Sequence, residues 1–405
     1  MARQSALAAT ATCALPKGPV FGWSSFHVEH APGITSVEDL AHMAFTTSGR
    51  AAIYQALLQL KLPAGSTVLV PTYHCPTMVA PVLLANLNVA YFGLHADGLP
   101  DLGSIDTATA TRSRAMIVSH YFGLARSLAE VRQWCDQHGI ALIEDCAHCY
   151  FGEAGGRPVG AWGDYSTASL SKFFPVSEGG VLAPAHRPID LRLTPPGLKA
   201  QLKGWIDVLD LATKYQRFFG INKLLALILG LKNSYRRLDH KAAPTTAAVP
   251  DMMQDCDMAR ITQAPLGASI TLKSILPRGR IIARRQGNFA IYAKNFQDVP
   301  GARPLFPLST AQSSRVAPYV FPLWVDEPDR IYKALREQEL PVFRWDRIWH
   351  GTPHLEGDVG PLWSHHVLQL LCHQDLSRTD VDRISQALLA MLPSPPPSTA
   401  SPIRP

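Results

Sequence analysis

The chain has 405 residues, 47% of them hydrophobic and 17% charged, with a formal net charge of +6. It is too long for one simple core and too apolar for overall disorder, and it fits a large domain plus a smaller one. The basic excess reads as mild and spread along the chain. That pattern excludes a nucleic-acid footprint; it suits an anionic cofactor and a phosphorylated substrate, or plain surface solvation.

The N-terminus, Met1-Ala-Arg-Gln-Ser-Ala-Leu-Ala-Ala-Thr, is rich in Ala and Thr and lacks the firm apolar centre of a signal peptide. From about residue 48 helical and strand patterns alternate. A helix is expected over 49–60, with Ala52, Ala56 and Leu57 on one face. A buried strand follows at 67–71, stopped by Pro71, then a helix at 77–85 and strands at 88–94 and 115–120. A helix at 127–138 ends at Gly139, a left-handed cap, before a strand at 140–144. Continuous apolar strands separated by helices indicate a mostly parallel sheet covered on both faces. Sites of such sheets lie beyond the carboxyl ends of the strands, where Pro71-Thr-Tyr-His, His120-Tyr-Phe-Gly and Asp145 fall.

Between Pro184 and about Pro265 the pattern changes. Basic and apolar residues recur at helical spacing, from Leu202 and Trp205 to Leu224 and Leu225, and read as two or three helices with a Pro/Ala/Thr loop over 242–250. The aromatic stripe reads as core or dimer contact, and a membrane-surface reading lacks a clear basic amphipathic face. The most apolar run, Leu224 to Leu231, is far short of the roughly 20 residues of a membrane span. A long helix at 280–296 leads to a strand at 319–325, a helix at 329–338 and a closing helix at 379–392. The Pro/Ser tail from Pro393 cannot bury apolar surface and is expected to be disordered. No G-x-G-x-x-G follows a strand, which argues against a dinucleotide site. Seven irregularly spaced cysteines, with one C-x-x-C at Cys146 and Cys149 and no second pair, indicate reduced residues of a cytoplasmic protein rather than a metal site.

The most telling residue is Lys172, in Ser169-Leu-Ser-Lys, 27 residues after Asp145 and six before Glu178-Gly-Gly. An acidic residue at a strand end followed by S-x-x-K on a later strand or turn is what pyridoxal phosphate (PLP) chemistry needs. The lysine forms the Schiff base, the carboxylate keeps the pyridine nitrogen protonated, and the serine hydroxyl binds phosphate.

Together these residues resemble the DegT family of PLP-dependent sugar aminotransferases. The matching stretches are Thr47-Ser-Gly-Arg-Ala-Ala-Ile, Val70-Pro-Thr-Tyr-His-Cys-Pro, His120-Tyr-Phe-Gly, Ile143-Glu-Asp-Cys-Ala-His, Gly155-Gly-Arg-Pro-Val-Gly-Ala-Trp-Gly-Asp, Ser169-Leu-Ser-Lys and Ser177-Glu-Gly-Gly. Further on, Ala317-Pro-Tyr-Val-Phe-Pro-Leu, Pro341-Val-Phe-Arg-Trp and Leu371-Cys-His-Gln-Asp-Leu match as well. The resemblance implies an α/β chain of fold type I: a mostly parallel central sheet with helices on both faces, plus a smaller α/β C-terminal domain. In that frame residues 1–40 are an N-terminal arm and 41–280 the large PLP-binding domain, with a helical insertion at about 186–265. Residues 281–392 form the small domain and 393–405 the tail.

By the same resemblance Lys172 carries the cofactor, Asp145 pairs with its ring nitrogen, and Ser169 with the backbone of Gly49 and Arg50 receives its phosphate. His148 stands where the family commonly has glutamine and is expected at the cofactor's phenolic oxygen or in a structural role. Arg50 replaces a small hydroxyl residue and either adds a phosphate contact or faces solvent. The residue over the cofactor ring is Tyr73, His74 or Cys75. Arg344, His373 and Tyr319 lie in stretches that approach the substrate. The family's partner-subunit asparagine has no match near Asp257-Met-Ala-Arg-Ile. The function implied is a cytoplasmic homodimer that moves an amino group from glutamate or glutamine to a keto-sugar, nucleotide-linked, for polysaccharide or glycosylated metabolites. A non-catalytic PLP-binding scaffold, or an enzyme for a small non-sugar carbonyl, is the alternative.

Overall fold

A computed structural model describes residues 14–186, 188–236, 252–307, 309, 312 and 314–393. The expected loop at 242–250 and the tail beyond Pro393 lie outside the described residues.

The first half is built on an eight-stranded sheet. Its strands are β1 (Ala44–Thr46), β2 (Thr67–Pro71), β3 (Asn88–Leu94), β4 (Pro100–Asp101), β5 (Ser113–Ser119), β6 (Ala141–Asp145), β9 (Tyr165–Ser169) and β10 (Gly180–Pro184). A separate two-stranded ribbon pairs β7 (Glu153–Ala154) with β8 (Arg157–Pro158). The order across the large sheet is β1-β10-β9-β6-β5-β2-β3-β4. The five strands from β9 to β3 run parallel, whereas β10, β1 and β4 pair antiparallel at the two sides.

The central strands are apolar on both faces because both faces are covered. Leu69, Met116, Val118 and Leu142 point into one core. Their sequence neighbours Val68, Val70, Ala115, Ile117 and Ile143 point into the other. Side chains alternate along a strand, so a run such as Ala115–Val118 fills two cores at once.

The helices between these strands are α1 (Gly49–Leu60), α2 (Pro76–Leu84), α3 (Thr107–Arg112) and α4 (Ala129–His138). Ser48 caps α1, its Oγ accepting from the Ala51 N–H at 3.2 Å. Gly139 closes α4 at φ 64°, the left-handed cap expected from the sequence.

The chain then forms a helical hairpin, α5 (Leu198–Lys214) and α6 (Asn222–Arg236), followed by α7 (Met252–Asp255), α8 (Gly267–Ile275) and the long α9 (Arg278–Asn295). The second half holds a four-stranded antiparallel sheet in the order β11-β12-β14-β13. These strands are Ala302–Pro304, Val320–Val325, Val367–Leu371 and Val342–Phe343, respectively. Helices α10 (Pro328–Glu337), α11 (Gly360–His366) and α12 (Arg378–Leu389) complete it. Its buried residues, among them Phe321, Leu335 and Leu388, are continuous with one face of the large sheet through Phe92, Tyr121 and Phe122.

Two features escaped the sequence reading. Neither β9 nor β10 was expected as a strand, because Tyr-Ser-Thr-Ala-Ser has no aliphatic run and β10 is a five-residue Gly-Val-Leu-Ala-Pro that follows a second glycine. Both are nonetheless fully buried. The second is the outward apolar side of the hairpin, whose helices were expected but whose stripe was read as core or dimer contact. Among the described side chains, Val208, Ala212, Phe218 and Leu229 are its buried apolar ones, while several larger ones face outward.

Candidate active site

Parallel strands bring their carboxyl ends to one edge of the sheet, and the chemistry-bearing residues gather there. Strand β5 ends at Ser119, β6 at Asp145 and β9 at Ser169. A cavity of about 180 Å³ opens beyond them, and Ser48, Gly49, Arg50, Asp145, His148, Ser169, Ser171, Lys172, Cys75 and Trp345 are among the residues that line it.

The turn that carries Lys172 is built by Gly179 and Gly180. Antiparallel pairing sets Gly180 opposite Ser169, so β10 returns directly beside β9. Gly179 adopts φ 118°, which favours glycine. A Cβ on Gly180 would lie 2.3 Å from the Ser48 carbonyl oxygen. The two glycines therefore let the turn press against the start of α1. Glu178 anchors the same corner, pairing with Arg260 and accepting from the Leu266 N–H.

From behind, a buried clamp fixes the lysine turn. Arg285, fully buried on α9, donates to the Lys172 carbonyl at 2.6 Å and to the Pro318 carbonyl at 3.1 Å. Its Nε donates to Gln374 Oε1, and Gln374 donates in turn to the Phe173 carbonyl at 2.7 Å. Burial pulls the Arg285 guanidinium down to about 10. Arg285 and Gln374 were missed by the sequence reading; their signal is only a basic residue on a helix face and a glutamine within Leu371-Cys-His-Gln.

Lys172 is half-buried, with Nζ over the Tyr319 ring at 5.4 Å. Burial lowers its pKa, while the Asp145 carboxylate and then Cys75 pull the other way. Asp145 is held in place by three donors: the Ala147 N–H at 2.9 Å, Ser119 Oγ at 3.3 Å and Thr167 Oγ1 at 3.3 Å. Ser169 and Ser171 present hydroxyls 3.4 Å apart. The neighbouring Glu144 supports the site from below. It accepts from the backbone N–H groups of Gly160, Trp162 and Gly163 and from His120 Nε2. That explains the Gly-rich stretch from Gly155. His120, Glu144 and Cys146 lie close enough to hold a metal ion, but the Glu144 oxygens are already committed to these partners.

His148 lies in the cavity wall, its ring 4.5 Å from that of Tyr319 and 4.7 Å from that of Trp345. Burial, and then the Lys172 charge, push its pKa well below the usual value, so the ring is neutral. Arg50 lines the cavity but spends its guanidinium on Asp257, to the backbone oxygen and to the carboxylate, both at 3.0 Å.

Of Tyr73, His74 and Cys75, only Cys75 lines the cavity. Tyr73 is corrected to a core residue, packed among Tyr121, Trp345 and Trp363. His74 is likewise structural: Nδ1 donates to the Pro71 carbonyl and Nε2 accepts from the Trp349 N–H. Those two roles require a neutral ring, and burial lowers its pKa to about 4. The rings at the cavity wall are instead His120, His148 and Trp345.

The three substrate candidates are also placed differently. His373 is buried against the Pro16 carbonyl at 3.0 Å, does not line the cavity, and has its pKa lowered to about 4 by burial. Arg344 pairs with Asp329 and Asp346 over the Tyr332 ring. It lines a second recess, which shares Cys75, Thr77 and Trp345 with the first. Tyr319 packs beneath His148 and Lys172 as a supporting ring rather than a lining one.

The donor set suits PLP. A half-buried amine and a fixed carboxylate share one cavity with two hydroxyls and the capped N-terminus of α1, whose free N–H groups favour a phosphate.

Residues 36–186 match the model of the DegT/DnrJ/EryC1/StrS aminotransferase family, and the family resemblance read from the motifs holds over this stretch. GDP-perosamine synthase of Vibrio cholerae is 28% identical over 173 residues, 41% of this chain and 47% of that protein. An L-glutamine:2-deoxy-scyllo-inosose aminotransferase of Streptomyces kanamyceticus is 29% identical over 40% of this chain and 39% of its own length. The chain thus spans less than half the length of the curated relatives it matches. Among solved structures, S. venezuelae DesV, in complex with a ketimine intermediate, superposes with a TM-score of 0.59 at 17% identity, covering 87% of this chain and 85% of its own. NtdA from Bacillus subtilis, with bound cofactor PMP, gives 0.55 at 16% identity, covering 86% and 72%. The fold is the fold type I arrangement.

Proposed function

We propose that this protein is a PLP-dependent aminotransferase. It moves an amino group from glutamine or glutamate to the carbonyl of a keto-sugar, nucleotide-linked, and acts as a cytoplasmic homodimer. The observation that carries the reading is the pairing of Lys172 and Asp145 on one cavity that also meets a helix N-terminus.

When bound, PLP supplies a carbonyl carbon that takes the amino group and a ring that accepts electrons. Lys172 provides the amine that holds it. Burial favours the uncharged form of that amine, the form that attacks a carbonyl and takes up and returns a proton. Asp145, held by three donors, offers a fixed negative charge to the ring nitrogen. Ser169, Ser171 and the first N–H groups of α1 receive the phosphate. The His148 and Trp345 rings wall the site and exclude water. A nucleotide-linked sugar product in one relative's name, and an inosose acceptor with glutamine as donor in another's, support the acceptor class and the donor.

The test is a coupled assay of PLP-loaded protein with glutamine or glutamate and a panel of nucleotide-linked keto-sugars. Amino-sugar formation that falls at least about 10³-fold in Lys172→Ala is the expected result. A loaded protein that converts no amino donor to its oxo acid would overturn the aminotransferase reading. Donor conversion with acceptance only of small non-sugar carbonyls would overturn the sugar assignment alone.

A further inference from the structure

The α5–α6 hairpin carries an outward apolar surface that the proposed catalysis does not use. On α6, Leu224, Leu227 and Ile228 fall at positions i, i+3 and i+4, and are 58%, 62% and 55% exposed. Their spacing puts them on one stripe. The opposite side of the helix is also apolar, with Leu225 and Leu229 turned inward. At the tip between the helices, Phe219 is 91% exposed and precedes Gly220 at φ 90°. Trp23 stands beside it, half exposed, its indole N–H donating to the Phe219 carbonyl at 3.1 Å. Leu198 and Leu202 extend the exposed apolar surface along α5. So many large, exposed apolar side chains on one hairpin mark a docking site rather than ordinary scatter.

Charge decides between occupants. The basic excess is not evenly spread along the chain. Between Asp210 and Asp239 the sequence holds six Lys or Arg residues and no Asp or Glu. Of these, Lys214 and Lys223 are exposed on the hairpin itself. Interfaces between protein copies are depleted in lysine at their centres. A projecting phenylalanine with adjacent tryptophan, an exposed leucine stripe and flanking lysines are instead the features of a helix that lies in a bilayer interface. No helix among the described residues is long and apolar enough to cross a membrane, so the contact is peripheral.

We infer that the α5–α6 hairpin docks the protein on an anionic phospholipid surface, with Phe219 and the Leu224–Leu227–Ile228 stripe entering the headgroup boundary and the lysines facing the lipid charge. The hairpin packs on the 20–26 segment through Val20, Phe21, Ala212 and Phe218, so docking would hold the whole enzyme at the surface.

The experiment is flotation of the full-length protein with vesicles of phosphatidylcholine alone or with about one third phosphatidylglycerol, beside sedimentation velocity in their absence. Phe219→Ser with Leu227→Ser removes apolar contact, and Lys214→Glu with Lys223→Glu inverts the flanking charge. All four side chains are exposed, so circular dichroism should be unchanged. The inference expects binding to anionic but not neutral vesicles, weakening as salt rises, and at least about tenfold weaker binding in each double variant at unaltered sedimentation. No vesicle binding by the wild-type protein would overturn it. So would a shift of the Phe219→Ser, Leu227→Ser protein to a smaller species, because the face would then belong to a second copy of the chain.

Discussion

The strand ends around Lys172 and the α5–α6 hairpin use their residues in opposite ways. At the strand ends nearly every polar group is held: Asp145 by three donors, Glu144 by three backbone N–H groups and His120, the lysine turn by Arg285 and Gln374. In the hairpin, large apolar side chains face outward with little to cover them. The first region is pre-organised for a small anionic ligand; the second is shaped for a broad, soft surface. The contrast teaches that burial of polar groups marks the chemistry here, and exposure of apolar groups marks the contact.

Breaking the held region should have large effects. Asp145→Asn removes the charge beside the cofactor ring while keeping the shape, and the half-reaction with an amino donor should slow about 10²-fold or more. Stopped-flow absorbance with glutamine would check this, with the bound-cofactor spectrum retained; near-normal rates would point to a different acid.

Arg285→Met tests the clamp. It leaves the Lys172 and Pro318 carbonyls without their buried donor, and the expected loss of stability is about 2–4 kcal/mol, read from urea unfolding. Arg285→Lys should restore only part of it, since one ammonium cannot reproduce the fork.

Acid should weaken the buried region in a defined window. His74 and His373 are buried with pKa values of about 4 against an ordinary 6.5. As pH falls below about 6.5 the unfolded chain binds protons that the folded rings refuse, so stability drops until about pH 4, where the loss is complete. At pH 5 each ring should contribute a loss of about 2 kcal/mol relative to pH 7.5. Urea midpoints at the two values measure it, and a His373→Asn protein should show a shallower drop.

The smallest effect belongs to the hairpin. Leu227→Ser, at an exposed position, should change stability by no more than about 0.5 kcal/mol. A loss comparable to that of Arg285→Met would mean the stripe is covered.

How far the sequence foretold these regions follows from their physics. Strands β2, β5 and β6 were legible because both of their faces are buried, which forces unbroken apolar runs. Helix α1 was placed to the residue, and its cap lay in the serine before it. Strand β9 was hidden, since a buried Ser-Thr-Ala-Ser strand next to a ligand cavity carries hydroxyls instead of aliphatics, and β10 was hidden by its short run between glycine and proline. In the site, Lys172, Asp145, Ser169, Gly49, Arg50 and His148 do meet on one cavity. Side-chain direction was not legible: one residue of register separates Cys75, which lines it, from His74, which is pinned in the core. Arg344 and His373 were drawn from nearby stretches, but Arg344 is spent on Asp329 and Asp346, and His373 on a carbonyl far away in sequence. Arg285 and Gln374 act through backbone oxygens, which leave no trace in residue type.

The account stands most directly on Lys172 as the residue that bears the cofactor. The measurement is borohydride reduction of PLP-saturated full-length protein, followed by peptide mapping by mass spectrometry. One pyridoxyl group per chain, on the peptide containing Ser169-Leu-Ser-Lys172, is the predicted result. A label on any other lysine, or none in protein that retains the cofactor, would contradict it.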